Sequence, residues 1–257
     1  MLLREDERGV LAIGQQSHAW LSGQLAWAWG NERFGVVEPR EEVCLAAAQH
    51  DVGWAQRDLE PLYNPDTGLP RSFIQMPLQE HLRIWTEGPE RLVTQSRYAA
   101  LLASLHGWRL YERRDLERLP IAESEAISNF LAAQRKFQNE LIGTLDTDRQ
   151  QLERDSMLLW TWDYLSLALC LNWATATAKR CPIAEGEVDL ELSRDGGAWQ
   201  VAPWPFTVQR VAVRCEGRRL NGPYADEPQM RDALETAPWE TLEVELSPTD
   251  PSDVHGL

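Results

Sequence analysis

The chain holds five histidines in 257 residues, and four of them stand where ligand chemistry is possible. His50 and Asp51 are adjacent at the end of the alanine-rich run Ala46-Ala47-Ala48-Gln49. His18 precedes this pair, and His81, His106 and Asp163 follow it. Imidazoles combined with carboxylates make a suitable ligand set for one or two divalent first-row transition ions, with iron or manganese favoured. A carboxylate such as Asp51 can bridge two ions, and such a centre polarises water or another small ligand. A histidine taken alone reads more readily as a hydrogen-bonded core residue. Asp163 is what makes the set informative. It is the only residue between Ser156 and Ala178 whose side chain is ordinarily charged at neutral pH, inside Met157-Leu158-Leu159-Trp160-Thr161-Trp162 and Tyr164-Leu165-Ser166-Leu167-Ala168-Leu169-Cys170. An unpaired buried carboxylate costs on the order of several kcal/mol. Positive charge must therefore reach it from elsewhere in the fold, and a cation shared with the histidines is the most economical source.

The elements that must carry these residues are mostly helical. Gln15 to Trp29 has helical spacing, with His18 on its inward face. Pro39, with Glu41 and Glu42 in the following turn, opens a helix running to about His50, and Gly53 is a plausible stop. A short helix from Leu78 to Trp85 carries His81, and a longer one from Pro89 to Arg109 carries His106. Ile121 to Leu141 is amphipathic, and Ser156 to Ala178 reads as a buried helix. The segment from Asp58 to Pro77, rich in turn residues, is long enough to be a lid or binding loop. After Pro182 the period changes to two. Val188, Leu190 and Leu192 alternate with acids, Asp195-Gly196-Gly197 makes a turn, and Trp199 and Val201 resume the alternation. Thr207–Cys215 and Leu242–Leu246 are further strand candidates, and Gln229–Glu235 is a short helix. The expected fold is mainly α, a helical bundle over residues 1–182. Met1–Ile13 form a hairpin before it, and a small antiparallel β appendage over 183–257 covers the helices or makes a subunit contact. The hairpin is a candidate to join that sheet, and the tail after Pro248 is expected to fray.

Composition narrows the function classes. A hydrophobic fraction of 43% and a charged fraction of 25% are those of a globular chain with a full core. The net charge of −15 argues against general nucleic-acid or anionic-membrane binding, which need a basic footprint. The apolar run around Asp163 is long enough to span a bilayer, but its Asp, Asn and hydroxyl groups favour a buried helix. Cys44, Cys170, Cys181 and Cys215 make no metal-binding pair and read as reduced thiols. The acids of Met1-Leu2-Leu3-Arg4-Glu5-Asp6 stand where a secretory leader would be basic and then apolar, so a cytoplasmic location is expected. Partners are expected to be a small-molecule substrate and, as a candidate, further copies of the chain.

The order His18…His50-Asp51…His81…His106…Asp163 resembles the HD-domain superfamily of helical metalloenzymes. Within it, Gln16-Ser17-His18-Ala19-Trp20-Leu21-Ser22-Gly23-Gln24-Leu25-Ala26 and Ala47-Ala48-Gln49-His50-Asp51-Val52-Gly53-Trp54 resemble the bacterial family termed domain of unknown function 3891. The resemblance implies an HD-like helical bundle. It implies a first ion on His18, His50, Asp51 and Asp163, and a second on Asp51, His81 and His106, with Asp51 shared and catalytic. It also implies a metal-dependent hydrolase of a phosphate ester or nucleotide. The alternatives are a di-iron oxygenase and a non-catalytic HD-like binding module. Trp54 stands where many relatives carry a lysine after His-Asp-x-Gly. Arg57, Arg71, Arg83 and Arg109 are candidates to grip substrate oxygen in its stead, Arg57 and Arg109 foremost, and Trp54 is a candidate pocket wall.

Overall fold

The computed structural model of the chain describes residues 1–249; His255 and most of the tail expected to fray lie outside the described residues. The N-terminal hairpin forms as expected from β1 (Leu2–Asp6) and β2 (Gly9–Ile13). Gly9, at φ +106°, takes a backbone conformation open to a residue without Cβ. Then come α1 (Gln15–Ala28), α2 (Arg40–Gln49), the short α3 (Ala55–Leu59) and a minimal hairpin, β3 (Tyr63–Asn64) with β4 (Leu69–Pro70). The helices α4 (Leu78–Leu92), α5 (Arg97–Glu112), α6 (Ile121–Ile142) and α7 (Arg149–Cys170) follow. The chain then runs through β5 (Thr175–Pro182), β6 (Glu187–Asp195), β7 (Ala198–Ala202), β8 (Val211–Leu220), α8 (Glu227–Thr236) and β9 (Trp239–Pro248).

The expectation of a mainly α bundle with a small sheet is overturned. Half of the molecule is helical and 23% is strand, and seven strands join in one curled sheet that dominates the architecture. Its order is β1-β2-β8-β9-β7-β6-β5, antiparallel throughout except for the parallel pair β7–β9. Two features explain the difference. The hairpin β1–β2 is not peripheral: Val10 to Ile13 pair with Leu220 to Gly217, from the far end of the chain. And β5 occupies residues expected to finish the buried helix. Helix α7 stops at Cys170 because Asn172 adopts the left-handed region at φ 57°, with Trp173 N–H bonding Ala168 O at 3.0 Å and Asn172 N–H bonding Leu169 O at 3.3 Å. These two bonds are the Schellman termination of a helix. The alternating threonines of Thr175-Ala176-Thr177-Ala178 then favour a strand.

The boundary between α4 and α5 also moves. Pro89 does not begin a helix but lies within α4. The true start is Ser96, whose hydroxyl accepts the N–H of Ala99 at 3.1 Å.

Helix α1 is fixed to the sheet in an uncommon way. β2 pairs with β8 only as far as Gly217, which leaves the backbone of residues 211–216 unpaired on that side. The chain leaves β2 directly into α1, and α1 side chains complete the edge. Ser17 Oγ donates to Glu216 O at 2.7 Å and accepts from Glu216 N–H at 2.8 Å. Gln24 does the same for Arg214, at 2.7 and 3.0 Å. At the N-terminus of α1, Gly14 offers no capping side chain, and the Asp58 carboxylate from α3 accepts the Gln16 N–H at 3.2 Å. On its other side α1 meets α2 at Gly23, where a Cβ would sit 2.6 Å from Ala48 Cβ. This contact brings the helices of His18 and His50 together. Gly23→Ala should force them apart and destabilise the protein by about 1–3 kcal/mol in urea unfolding; an unchanged midpoint would contradict the contact.

Candidate metal centre

Four elements deliver ionisable groups to one point in the core. His18 comes from the buried face of α1, His106 from α5 and Asp163 from α7. His50 and Asp51 come from the end of α2. Neighbours on a helix diverge by about 100°, but α2 stops at Gln49. Asp51 has left helical geometry (φ −95°, ψ 17°), which lets both side chains of the pair turn inward. One ring nitrogen each of His18 and His50 and one oxygen of Asp163 lie within 4.8 Å of one another.

Hydrogen bonds behind the histidines determine which nitrogen faces this point. His50 Nδ1 is 2.9 Å from the Ala47 carbonyl, which can only accept, so Nδ1 carries the proton. His18 Nδ1 is 2.8 Å from Ser166 Oγ. That hydroxyl is also 2.8 Å from the Asp163 carbonyl, and with its single proton given there His18 Nδ1 is the donor. In the neutral rings both Nε2 lone pairs are therefore presented inward, the arrangement that backbone and side-chain acceptors impose on metal-binding histidines. What they meet is more negative charge. His18 Nε2 is 2.7 Å from Asp51 Oδ2 and 3.6 Å from Asp163 Oδ1. His50 Nε2 is 3.2 Å from Asp163 Oδ1 and 3.6 Å from Asp51 Oδ2, yet it is buried without an aligned hydrogen bond. Lone pairs cannot face carboxylates at these distances unless a proton or a metal cation lies between them. The residues present thus fit a divalent ion.

The electrostatics point the same way. Burial alone would lower the pKa of His50, but Asp51 and Asp163 outweigh it and raise it to about 9. Burial likewise works against the ionised form of Asp163, but His50, His106 and His18 hold its carboxyl well below the usual range. His106 differs: burial dominates and lowers it to about 4, so it is neutral at physiological pH. Its ring lies between Trp85 and Trp160, with centroids 5.4 and 5.3 Å away, and its Nε2 is 3.5 Å from Asp163 Oδ2. Asp155 offers a contrast. It is fully buried, but Tyr98 and Gln151 donate to it at 2.6 and 2.8 Å, so it needs no cation.

The structure brings His18, His50, Asp51, Asp163 and His106 together. His81 is elsewhere. Trp85 Nε1–H donates to His81 Nε2 at 3.1 Å, and Nδ1 bonds the Tyr111 hydroxyl, so neither nitrogen has a free lone pair for an ion. Among the described residues the set Asp51, His81 and His106 does not gather as a second ligand group. Trp54 is fully buried against the His81 ring, with centroids 5.4 Å apart. Arg57 is paired with Glu80, and Arg83 grips Glu80 and Glu87. Arg71 bonds the Tyr63 carbonyl. Arg109 bonds Ser156 and Glu153 and lines a cavity beside the centre. Sequence reasoning passed over Ser166, the residue that orients His18. Its signal was a hydroxyl three residues after Asp163 on an otherwise apolar face.

The chain belongs to the family described as protein of unknown function (DUF3891), whose model matches residues 1–222. No curated protein and no solved structure matches it. No helix among the described residues is long and apolar enough to cross a membrane.

His81 gives the fold a measurable acid sensitivity. Burial lowers its pKa from 6.5 to about 4. As pH falls below 6.5 the unfolded chain takes up a proton that the folded chain refuses until about pH 4, so stability is lost across that window. The full shift corresponds to about 3 kcal/mol. Urea unfolding of the wild type should weaken between pH 6.5 and 4 by about that much more than unfolding of His81→Gln. Parallel pH profiles would show that His81 does not resist protonation.

Proposed function

We propose that the protein is a metal-dependent hydrolase acting on a phosphate ester or nucleotide at the His18, His50, Asp51 and Asp163 centre. The observation that carries this reading is the pair of inward Nε2 lone pairs held against two buried carboxylates. A nitrogen and oxygen ligand set of this kind suits Mn²⁺ or Fe²⁺. The order of the ligands along the chain is also that of HD-domain phosphohydrolases, which is what favours phosphate chemistry over other hydrolysis. The ion would supply a Lewis acid for a phosphate oxygen and for water.

The chain's own groups have separable tasks. His18 and His50 bind through Nε2, their rings held by Ser166 and Ala47. Asp51, nearly inaccessible, supplies charge from the interior side. Asp163 has 14% of its side chain exposed, against 1–3% for His18, His50, Asp51 and His106, so substrate and water approach from its side. The Asp163 carboxylate favours the Nε2–H tautomer of His106, which keeps a proton donor beside the reacting position. The two indoles flanking His106 exclude bulk water from it. A di-iron oxygenase would need a second ligand group, and His81, its expected member, has both nitrogens engaged.

Purified protein given Mn²⁺ or Fe²⁺ should hydrolyse members of a phosphodiester and nucleotide panel. Asp51→Ala should lower kcat/KM at least 100-fold, about 3 kcal/mol of lost transition-state stabilisation. Equal rates for the wild type and Asp51→Ala would overturn the hydrolase reading and leave a binding module.

A further inference from the structure

Beside the centre lies a cavity of about 560 Å³, within the range of small-molecule sites. The chain as a whole has 25 basic and 40 acidic residues, yet the cavity wall reverses that balance. Arg109, Arg113, Arg154, Lys179 and Arg180 line it, against Glu112, Glu153 and Glu187. Two of the guanidiniums are poorly neutralised. Among the described residues, Arg113 and Arg154 have no carboxylate oxygen nearer than 3.9 Å. Arg154 bonds only the Phe34 and Val36 carbonyls, with its side chain 21% exposed.

The backbone is bent to build this wall. In a regular strand, consecutive side chains point to opposite faces. Lys179 and Arg180 are consecutive in β5, yet both are exposed and both line the cavity. A register shift between Ala178 and Cys181 makes this possible, with Arg180 in the left-handed region at φ 56°. That conformation costs a residue with a Cβ on the order of 1–3 kcal/mol. A strained bulge that turns a second cation onto the same face is a typical feature of a binding site.

The cavity is also in line with the metal centre. On α5, His106, Arg109 and Arg113 form one stripe, and on α7 so do Asp163, Trp160, Met157 and Glu153. The helices run antiparallel along this seam: His106 meets Asp163, and Arg109 meets Ser156 and Glu153. From His106 to Arg113 the rise is about 10 Å. Trp160 forms the divide, packed on His106 and lining the cavity.

We propose that this cavity is an anion subsite that takes a phosphate or diphosphate group, held first by the poorly neutralised Arg113 and Arg154 and then by Lys179 and Arg180, which the anion must share with Asp189 at 2.6 Å and Glu187 at 2.7 Å. Its ligand is then an elongated phosphorylated molecule whose other end reaches Asp163. Only that second statement rests on the hydrolase reading above. The test separates the two by using pyrophosphate as the probe with the full chain, in chelator and without metal. Calorimetry should detect saturable binding of pyrophosphate to the wild type. The double substitution Arg113→Gln, Lys179→Gln, at two exposed side chains, should weaken it at least tenfold while the thermal melt stays unchanged. Asp163→Asn should bind pyrophosphate as the wild type does. Absence of binding, equal binding by the double variant, or loss of binding in Asp163→Asn would each overturn the subsite. Should the double variant unfold, Arg180→Gly, which relieves the left-handed strain, takes its place with the same expected loss of affinity. None of these outcomes depends on hydrolysis, so an inactive metal centre would leave the subsite standing.

Discussion

Two imidazole lone pairs facing two carboxylates inside the core is the constraint on which the rest of this structure depends. Water cannot relieve it, because His18, His50 and Asp51 are almost wholly buried. Without a positive charge between them, these groups would cost on the order of several kcal/mol. The demand shows in the titration of the groups themselves: the carboxylates raise His50 to about 9, and the histidines hold Asp163 low. A divalent ion would meet it better, since it can accept both lone pairs at once. Of the polar atoms behind the rings, the Ala47 carbonyl fixes the neutral tautomer of His50, and the Ser166 hydroxyl supports the same tautomer in His18.

The fold can be understood as what holds four elements to that point. Gly23 sets the spacing of α1 and α2. Ser17 and Gln24 bind α1 to the unpaired edge of β8, and the Asp58 carboxylate fixes its first turn. The sheet is therefore not a cover laid over a finished bundle. It orients the helix that carries His18, and through β5 it also supplies the cationic wall beside the centre. One continuous seam, the facing stripes of α5 and α7, links the buried carboxylates to that wall. Chemistry and recognition would then lie along one seam, on either side of Trp160.

Much of the helical layer was legible because its signals are local. Pro39 followed by two glutamates, the amphipathic period of Ile121–Leu141 and the isolation of Asp163 each required only neighbouring residues. The same holds for β6 and β7, whose alternation and Gly-Gly turn are plain. What was not legible depends on distance or on backbone shape. Nothing near Val10 announces a partner at Leu220, so the sequence leaves the hairpin's place in the sheet open and implies a smaller sheet. Thr175–Ala178 continued an apolar run and read as helix, because the stop lies in the left-handed conformation of Asn172, a residue able to adopt it but not bound to. His81 entered the ligand set on residue type and order. Its exclusion follows from Trp85 one turn away and Tyr111 from α5, which consume both its nitrogens. The cations of the cavity wall come from α5, α7 and β5, and only the bulge in β5 turns Lys179 and Arg180 the same way.

The central claim is that His18 Nε2 and His50 Nε2 share one cation with the neighbouring carboxylates. Crystals grown with Mn²⁺, with data collected for the manganese anomalous signal, test it directly. The account predicts one buried anomalous peak within about 2.0–2.3 Å of both Nε2 atoms, with an Asp51 or Asp163 oxygen in the same shell. A peak bound instead through His81, or no peak between His18 and His50 at saturating Mn²⁺, would contradict it.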